Sequence, residues 1–302
     1  MVSAKDREVA TESGEEAPGQ PREVKDSKSG RNLGAAFLVG AGLLAVFGGS
    51  LLFFPPLFMV AVAVAIVGGL VEFRHAIRNT GRHLAMPVTI VGGVGIFICA
   101  SQIGLEAMLT ATLFTVAVGL MWHLMGPARG EDLLRNITMT ALAVAYIPLL
   151  GSFVGLLSVE CGGPATAIYI LATTLGSDTG GYLFGRFLGR HPMSPRISPK
   201  KTWEGFAGSV LLAVLISWGG TFWIGIPWFY GLILGTLVAI AATLGDLSES
   251  LMKRELGIKD MGHLLPGHGG LLDRMDSLLM AAPVAYIVLK FAIFSTQAPV
   301  LS

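Results

Sequence analysis

From Gly34 onward the chain is a succession of apolar stretches, each close to the ~20 residues an α-helix needs to cross ~30 Å of hydrocarbon. They fall at 34–54, 56–72, 85–103, 106–125, 137–157, 164–188, 206–225, 228–252 and 271–294, which predicts about nine transmembrane helices. The first two could instead form one re-entrant hairpin around Phe54-Pro55-Pro56. Runs of this length are too long for buried core helices, and 53% hydrophobic against 14% charged residues is too apolar a balance for a soluble domain. The expected fold is an all-α integral membrane protein with a single membrane domain, 34–302. Residues 1–33 are rich in Glu, Lys, Ser, Gly and Pro and cannot bury enough surface to offset the entropy of ordering, so they are expected to be a disordered cytoplasmic tail. That tail has no secretory h-region, and no role is assigned to it.

Basic residues set the expected orientation. With the N-terminus in the cytoplasm, the inner segments hold Arg74, Arg78 and Arg82, then Arg129 and Arg135, then Arg186 to Lys201, then Lys253 to Lys259 and Arg274. The opposite loops, around Pro55, Gly104, Ser158–Gly163 and Gly225–Pro227, carry neither Lys nor Arg. Lys290, late in the last span, can snorkel to the outer interface. Gly181, Gly185 and Gly189 recur every four residues along one stripe, which points to helix packing. Cys99 and Cys161 have neither metal-ligand spacing nor a disulfide framework around them, and are given no role.

Carboxylates inside spans are costly, about 2.5–3.5 kcal/mol at a helix centre, so each is a functional hypothesis. Asp178 lies in LGSDTGGYLFG, Asp246 in TLGDLSES, and Asp273 and Asp276 share one face at the start of the last span. In the expected topology all four reach the cytoplasmic half of the bilayer. Oxygen donors of this kind suit a hard cation such as Mg²⁺, and the Cys/His set of a zinc site is missing. Asp273 and Asp276 alone would also be explained as helix-start carboxylates facing the macrodipole. Around the acids stand Arg196, Lys200 and Lys201 in SPRISPKKTWEG, then Lys253, Arg254, Lys259 and Arg274. Acid plus base at a membrane face implies a phosphate held by metal and cations together. Gly267, Gly269 and Gly270 would let backbone N–H groups approach a phosphate at the N-terminus of the last helix. His268 is either a lone ligand or base, or a loop histidine satisfied by the backbone. There is no P-loop and no dinucleotide fingerprint, and no nucleic-acid partner is implied. A transporter would need a polar path toward the outer side, where these spans carry almost no ionisable residues. A scaffold would have no reason to gather four aspartates at one depth.

The run Ser250 to Asp276, SLMKRELGIKDMGHLLPGHGGLLDRMD, resembles the signature of the phosphatidate cytidylyltransferases (CDP-diacylglycerol synthases). SDTGGYLFGR at 177–186, SPKKTWEG at 198–205 and GDLSES at 245–250 resemble further motifs of that family, in its order, so the motif-bearing part is 177–276. Gly181 stands where the family pattern has Ala. The resemblance implies transfer of CMP from CTP to phosphatidate, with release of pyrophosphate, at the cytoplasmic side of the plasma membrane. It implies Asp246 and Asp273 as ligands of Mg²⁺, a second cation being left open, and Asp178 and Asp276 as further ligands, orienters or base. Lys200, Lys201, Lys253, Arg254, Lys259 and Arg274 would grip the triphosphate or the lipid phosphate, with Arg196, Gly269 and Gly270 beside them, and Ser177 and His268 would position groups. The expected partners are CTP, phosphatidate and membrane lipid, with a homodimer as one arrangement of the packed helices. A CTP-dependent transferase or kinase for another lipid or polyprenol acceptor is the alternative.

Overall fold

Lipid offers no partner to backbone N–H and C=O groups, so an apolar chain of this kind satisfies them within helices. The computed structural model describes residues 49–50, 54–262 and 269–297. The tail at 1–33, most of the anticipated span 34–54, Gly267 and His268 lie outside the described residues. The helices are α1 (Pro55–Ile77), α2 (Met86–Gln102), α3 (Leu105–Leu124), α4 (Gly130–Val144), α5 (Leu150–Glu160), α6 (Pro164–Leu188), α7 (Trp203–Ile224), α8 (Trp228–Glu255) and α9 (Leu272–Gln297). Pro148, buried and without an N–H for the Val144 carbonyl, sits in a π-helical turn, Ala145–Leu149, that joins α4 to α5 as one rod, Gly130–Glu160. Every anticipated span from 56 onward falls on one of these rods. Among the described residues six rods are long and apolar enough to cross a membrane. α2, with 17 residues, and α6, interrupted by Thr, Ser, Asp and Gly, are not among them. Phe222 and Phe294 are 70% and 73% exposed, as befits side chains that face lipid rather than water.

α6 lies along α7, α7 along α8, and α8 along α9. The α6–α7 contact is backbone on backbone: a Cβ added to Gly180 would stand 2.2 Å from the Gly208 carbonyl oxygen. Gly181 and Gly185 face α7 at Ser209 and Gly205, so this part of the glycine stripe is packing. Gly180→Ala is therefore expected to lower stability by about 1–3 kcal/mol, the usual cost of overpacking, because a carbonyl cannot swing aside as a flexible side chain would. A thermal midpoint in detergent equal to that of the native chain would contradict it.

Two apolar clusters fill the bundle. One joins Ile96, Met108, Leu156, Leu157, Ile170, Leu234, Tyr286 and Leu289. The other joins Phe58, Ile66, Leu70 and Phe73 of α1 to Ile147, Met261, Leu272 and Leu279, and so ties α1 to the start of α9. α1 runs on to Ile77, past the expected end at 72, which places Glu72 within a helix.

Among the described residues the structure departs from an all-α expectation in a short hairpin. β1 (Pro192–Ser194) and β2 (Ser198–Thr202) form an antiparallel hairpin between α6 and α7, pairing Pro192 with Thr202 and Ser194 with Ser198. Prolines at 192, 195 and 199 forbid a helix here, and the Glu204 carboxylate closes the hairpin by accepting Arg190 N at 3.0 Å, His191 N at 3.2 Å and His191 Nδ1 at 2.5 Å.

Candidate active site

Helical periodicity aims the acids of three different helices into one space. On α6, Asp178, Gly181 and Tyr182 share a face at i, i+3, i+4; on α8, Asp246 and Lys253 are two turns apart; on α9, Asp273 and Asp276 lie a turn apart. These faces, with β2 and the start of α7, enclose a cavity of about 510 Å³. Its wall carries Asp178, Asp246, Asp260, Asp273 and Asp276 together with Lys200, Lys201, Lys253 and Arg274.

Three of these acids, Asp178, Asp246 and Asp273, are held by side-chain or backbone donors. Lys201 reaches from β2 across to α8, its Nζ 2.8 Å from Asp246 Oδ2 and donating to the Thr243 carbonyl at 3.3 Å. The Ser250 hydroxyl donates to the other oxygen of Asp246 at 3.2 Å. Asp273 accepts from Lys253 Nζ at 2.8 Å, from Gly270 N at 2.8 Å and from Met261 N at 3.1 Å. Lys253 is also paired at 3.2 Å with Glu249, which is 0% exposed. The Ser277 hydroxyl donates to Asp178 at 3.2 Å and so links α9 to α6. At Gly245 an added Cβ would meet the Asp276 carbonyl at 2.4 Å, so α8 and α9 touch there and bring Asp246 and Asp276 to the same depth. Thr202 caps α7 by accepting from Gly205 N at 3.1 Å, which fixes the exit of β2 and with it Lys200 and Lys201.

The cavity thus gathers Asp178, Asp246, Asp273, Asp276, Lys200, Lys201, Lys253 and Arg274, and six of the anticipated residues among those described, Ser177, Arg196, Arg254, Lys259, Gly269 and Gly270, do not line it. Ser177, one position from Asp178 and so about 100° around the helix, is 1% exposed on the packed face. Arg254 turns away in the same manner and donates to the Ile197 carbonyl at 3.3 Å. Arg196 and Lys259 are exposed and do not line the cavity. Gly269, at φ +83°, and Gly270 shape the entry to α9.

Sequence reasoning passed over Glu72, Glu249 and Asp260. Glu249 carried a signal, standing three residues after Asp246 and four before Lys253. Glu72 carried one as an acid at the end of an apolar run, and Asp260, on a loop, carried none. Among the described residues no group of three or more His, Cys, Asp or Glu side chains is arranged to hold a metal ion. The cavity acids offer oxygen donors, the kind a hard cation takes, and Lys201 and Lys253 each occupy one oxygen of Asp246 and Asp273.

The sequence profile described as the cytidylyltransferase family matches residues 35–292. The chain is 36% identical over 281 residues to the phosphatidate cytidylyltransferase of Mycobacterium tuberculosis, covering 88% of this chain and 85% of that protein. It is 36% identical over 315 residues to the protein of the same name from Mycobacterium leprae, covering 95% of this chain and 99% of that one. Against the phosphatidate cytidylyltransferase of Bacillus subtilis it is 33% identical over 197 residues, covering 64% and 69%.

Proposed function

The chain belongs to the cytidylyltransferase family, and we propose accordingly that it transfers CMP from CTP to phosphatidate, giving CDP-diacylglycerol and pyrophosphate. The observation that carries this reading is the convergence of five aspartates and four basic side chains on one cavity at the ends of membrane-type helices. A phosphate oxygen of the lipid attacks the α-phosphorus of CTP; the new P–O bond forms as the α–β bridging bond breaks, and pyrophosphate leaves with that electron pair. Two polyanions must be brought into line and the charge that develops between them neutralised, which calls for fixed cations more than for a covalent nucleophile. Lys200, Lys201, Lys253 and Arg274 hold phosphate oxygens in this reading, while Arg254, Lys259 and Arg196 stand outside the cavity and steer anions toward it. Asp246 and Asp273 are the proposed holders of Mg²⁺, with Asp178 and Asp276 beside them. A divalent ion there would supply charge neutralisation at the triphosphate.

The same reading gives a multi-pass protein of the plasma membrane with nine spans, the N-terminus inside and the cavity open to cytosolic CTP. The arginines and lysines at the ends of α1, α4, α6 and α8, on the side of the cavity, support that orientation. A homodimer through exposed helix faces is compatible with it.

The test is incorporation of labelled CMP from CTP into phosphatidate-containing liposomes with Mg²⁺, comparing the native chain with Asp246→Asn. Native transfer that falls by about 100-fold or more in the variant is expected. A well-folded native preparation that labels a polyprenol phosphate and leaves phosphatidate untouched would replace the proposed acceptor.

A further inference from the structure

We propose that Glu72, on α1 and outside every motif of the chain, is a positioning residue for this transfer: its carboxylate is the mould on which the entry to α9 folds. The proposal rests on the function just given. Glu72 is 2% exposed and does not line the cavity. One carboxylate oxygen accepts Leu271 N at 2.9 Å and the other accepts Leu272 N at 2.8 Å. These amides stand at the N-terminus of α9, Leu271 just before it and Leu272 its first residue, where N–H groups have no partner within the helix and a carboxylate is favoured by the helix dipole.

The loop is shaped around this side chain. A Cβ added at Gly262 would stand 2.4 Å from Glu72 Cδ, and one at Gly270 would stand 2.7 Å from Glu72 Oε2. Any larger residue at either position would displace the carboxylate. Three successive amides are divided between two acids, Gly270 N going to Asp273 and Leu271 N and Leu272 N to Glu72. The chain of bonds then continues from Asp273 to Met261 N and to Lys253. Leu70 and Phe73, flanking Glu72 on α1, pack in the same apolar cluster as Met261 and Leu272, so the acid is fixed from its own side as well. Glu72 therefore sets where α9 begins, and with it where Asp273 and Asp276 stand relative to Asp246.

The experiment uses the full chain in detergent and in liposomes, with Glu72→Gln and Glu72→Ala. Gln keeps the volume but presents an NH₂ to one of the two amides, so one bond is lost; Ala loses both. In hydrogen-exchange mass spectrometry the amides of 269–276 are expected to exchange about 10- to 100-fold faster in both variants, the range for loss of a hydrogen bond to a charged group, with α7 unchanged. The kcat for CMP transfer is expected to fall about tenfold in Glu72→Gln, with KM for CTP held within about twofold, since a displaced carboxylate is felt in the transition state more than in binding. Native exchange at 269–276 in both variants would overturn the proposal, as would an unchanged kcat. So would a loss of rate that only matches a loss of folded protein. The exchange readout needs no substrate, so a native protein that failed to label phosphatidate would count against the proposed function while leaving Glu72's hold on α9 to be judged separately.

Discussion

Asp273→Asn is expected to lower CMP transfer by about 10²–10³-fold, the scale seen when one fixed electrostatic element of an active site is lost. The carboxylate takes Lys253 Nζ on one oxygen, Gly270 N on the other, and Met261 N between them. Asparagine offers one acceptor oxygen and an NH₂ donor. Whichever way the amide is turned, a donor faces either the ammonium of Lys253 or the backbone N–H of Gly270. The substitution removes a negative charge from the cavity wall and also loosens the loop that places α9. The check is the labelled-CMP assay on detergent-purified protein, with elution profile and thermal midpoint measured in parallel. A well-folded variant within about threefold of native kcat would show that Asp273 does no more than brace the loop.

The largest effect on stability is expected at Lys253. This ammonium lies between Glu249, 0% exposed, and Asp273, whose side chain is 8% exposed. Lys253→Met leaves two buried acids without their common counter-charge, and removing one member of a buried pair costs about 3–5 kcal/mol. The variant should melt well below the native chain or fail to accumulate in the membrane. Neutralising the partner separates this cause from lost packing: Lys253→Met with Glu249→Gln should recover roughly half of the lost stability, and no activity, since the cation that faces the phosphates is still missing. A double variant no more stable than the single one would mean that the charge on Glu249 is not what Lys253 offsets.

The positions of the spans were legible because apolar length is a local property, and the acids stood out because lipid makes each one costly. Asp178, Asp246, Asp273 and Asp276 were singled out on that ground and meet in one cavity. Ser177 and Arg254 show where a motif read residue by residue misleads. Each is adjacent to a cavity residue, and one step along a helix turns a side chain about 100° away from its neighbour. The hairpin at 192–202 was hidden because two strands of this length carry almost no period-two pattern, and what closes them is a carboxylate at position 204 that begins the next helix. What Glu72 touches was hidden for a different reason. Its partners are 199 and 200 residues away, and no window along the chain can show an interaction of that span.

That separation has a consequence in time as well as in space. A ribosome delivers the chain from its N-terminus, so α1 and its acid are made long before the two amides that receive them. Throughout synthesis the carboxylate of Glu72 waits without Leu271 and Leu272, and the cavity lacks one of its walls. A chain interrupted between α8 and α9 would carry most of its motifs and lack Asp273, Arg274 and Asp276 of the cavity wall. The cavity wall is complete only once the last helix has been delivered and has met the acid that was made first.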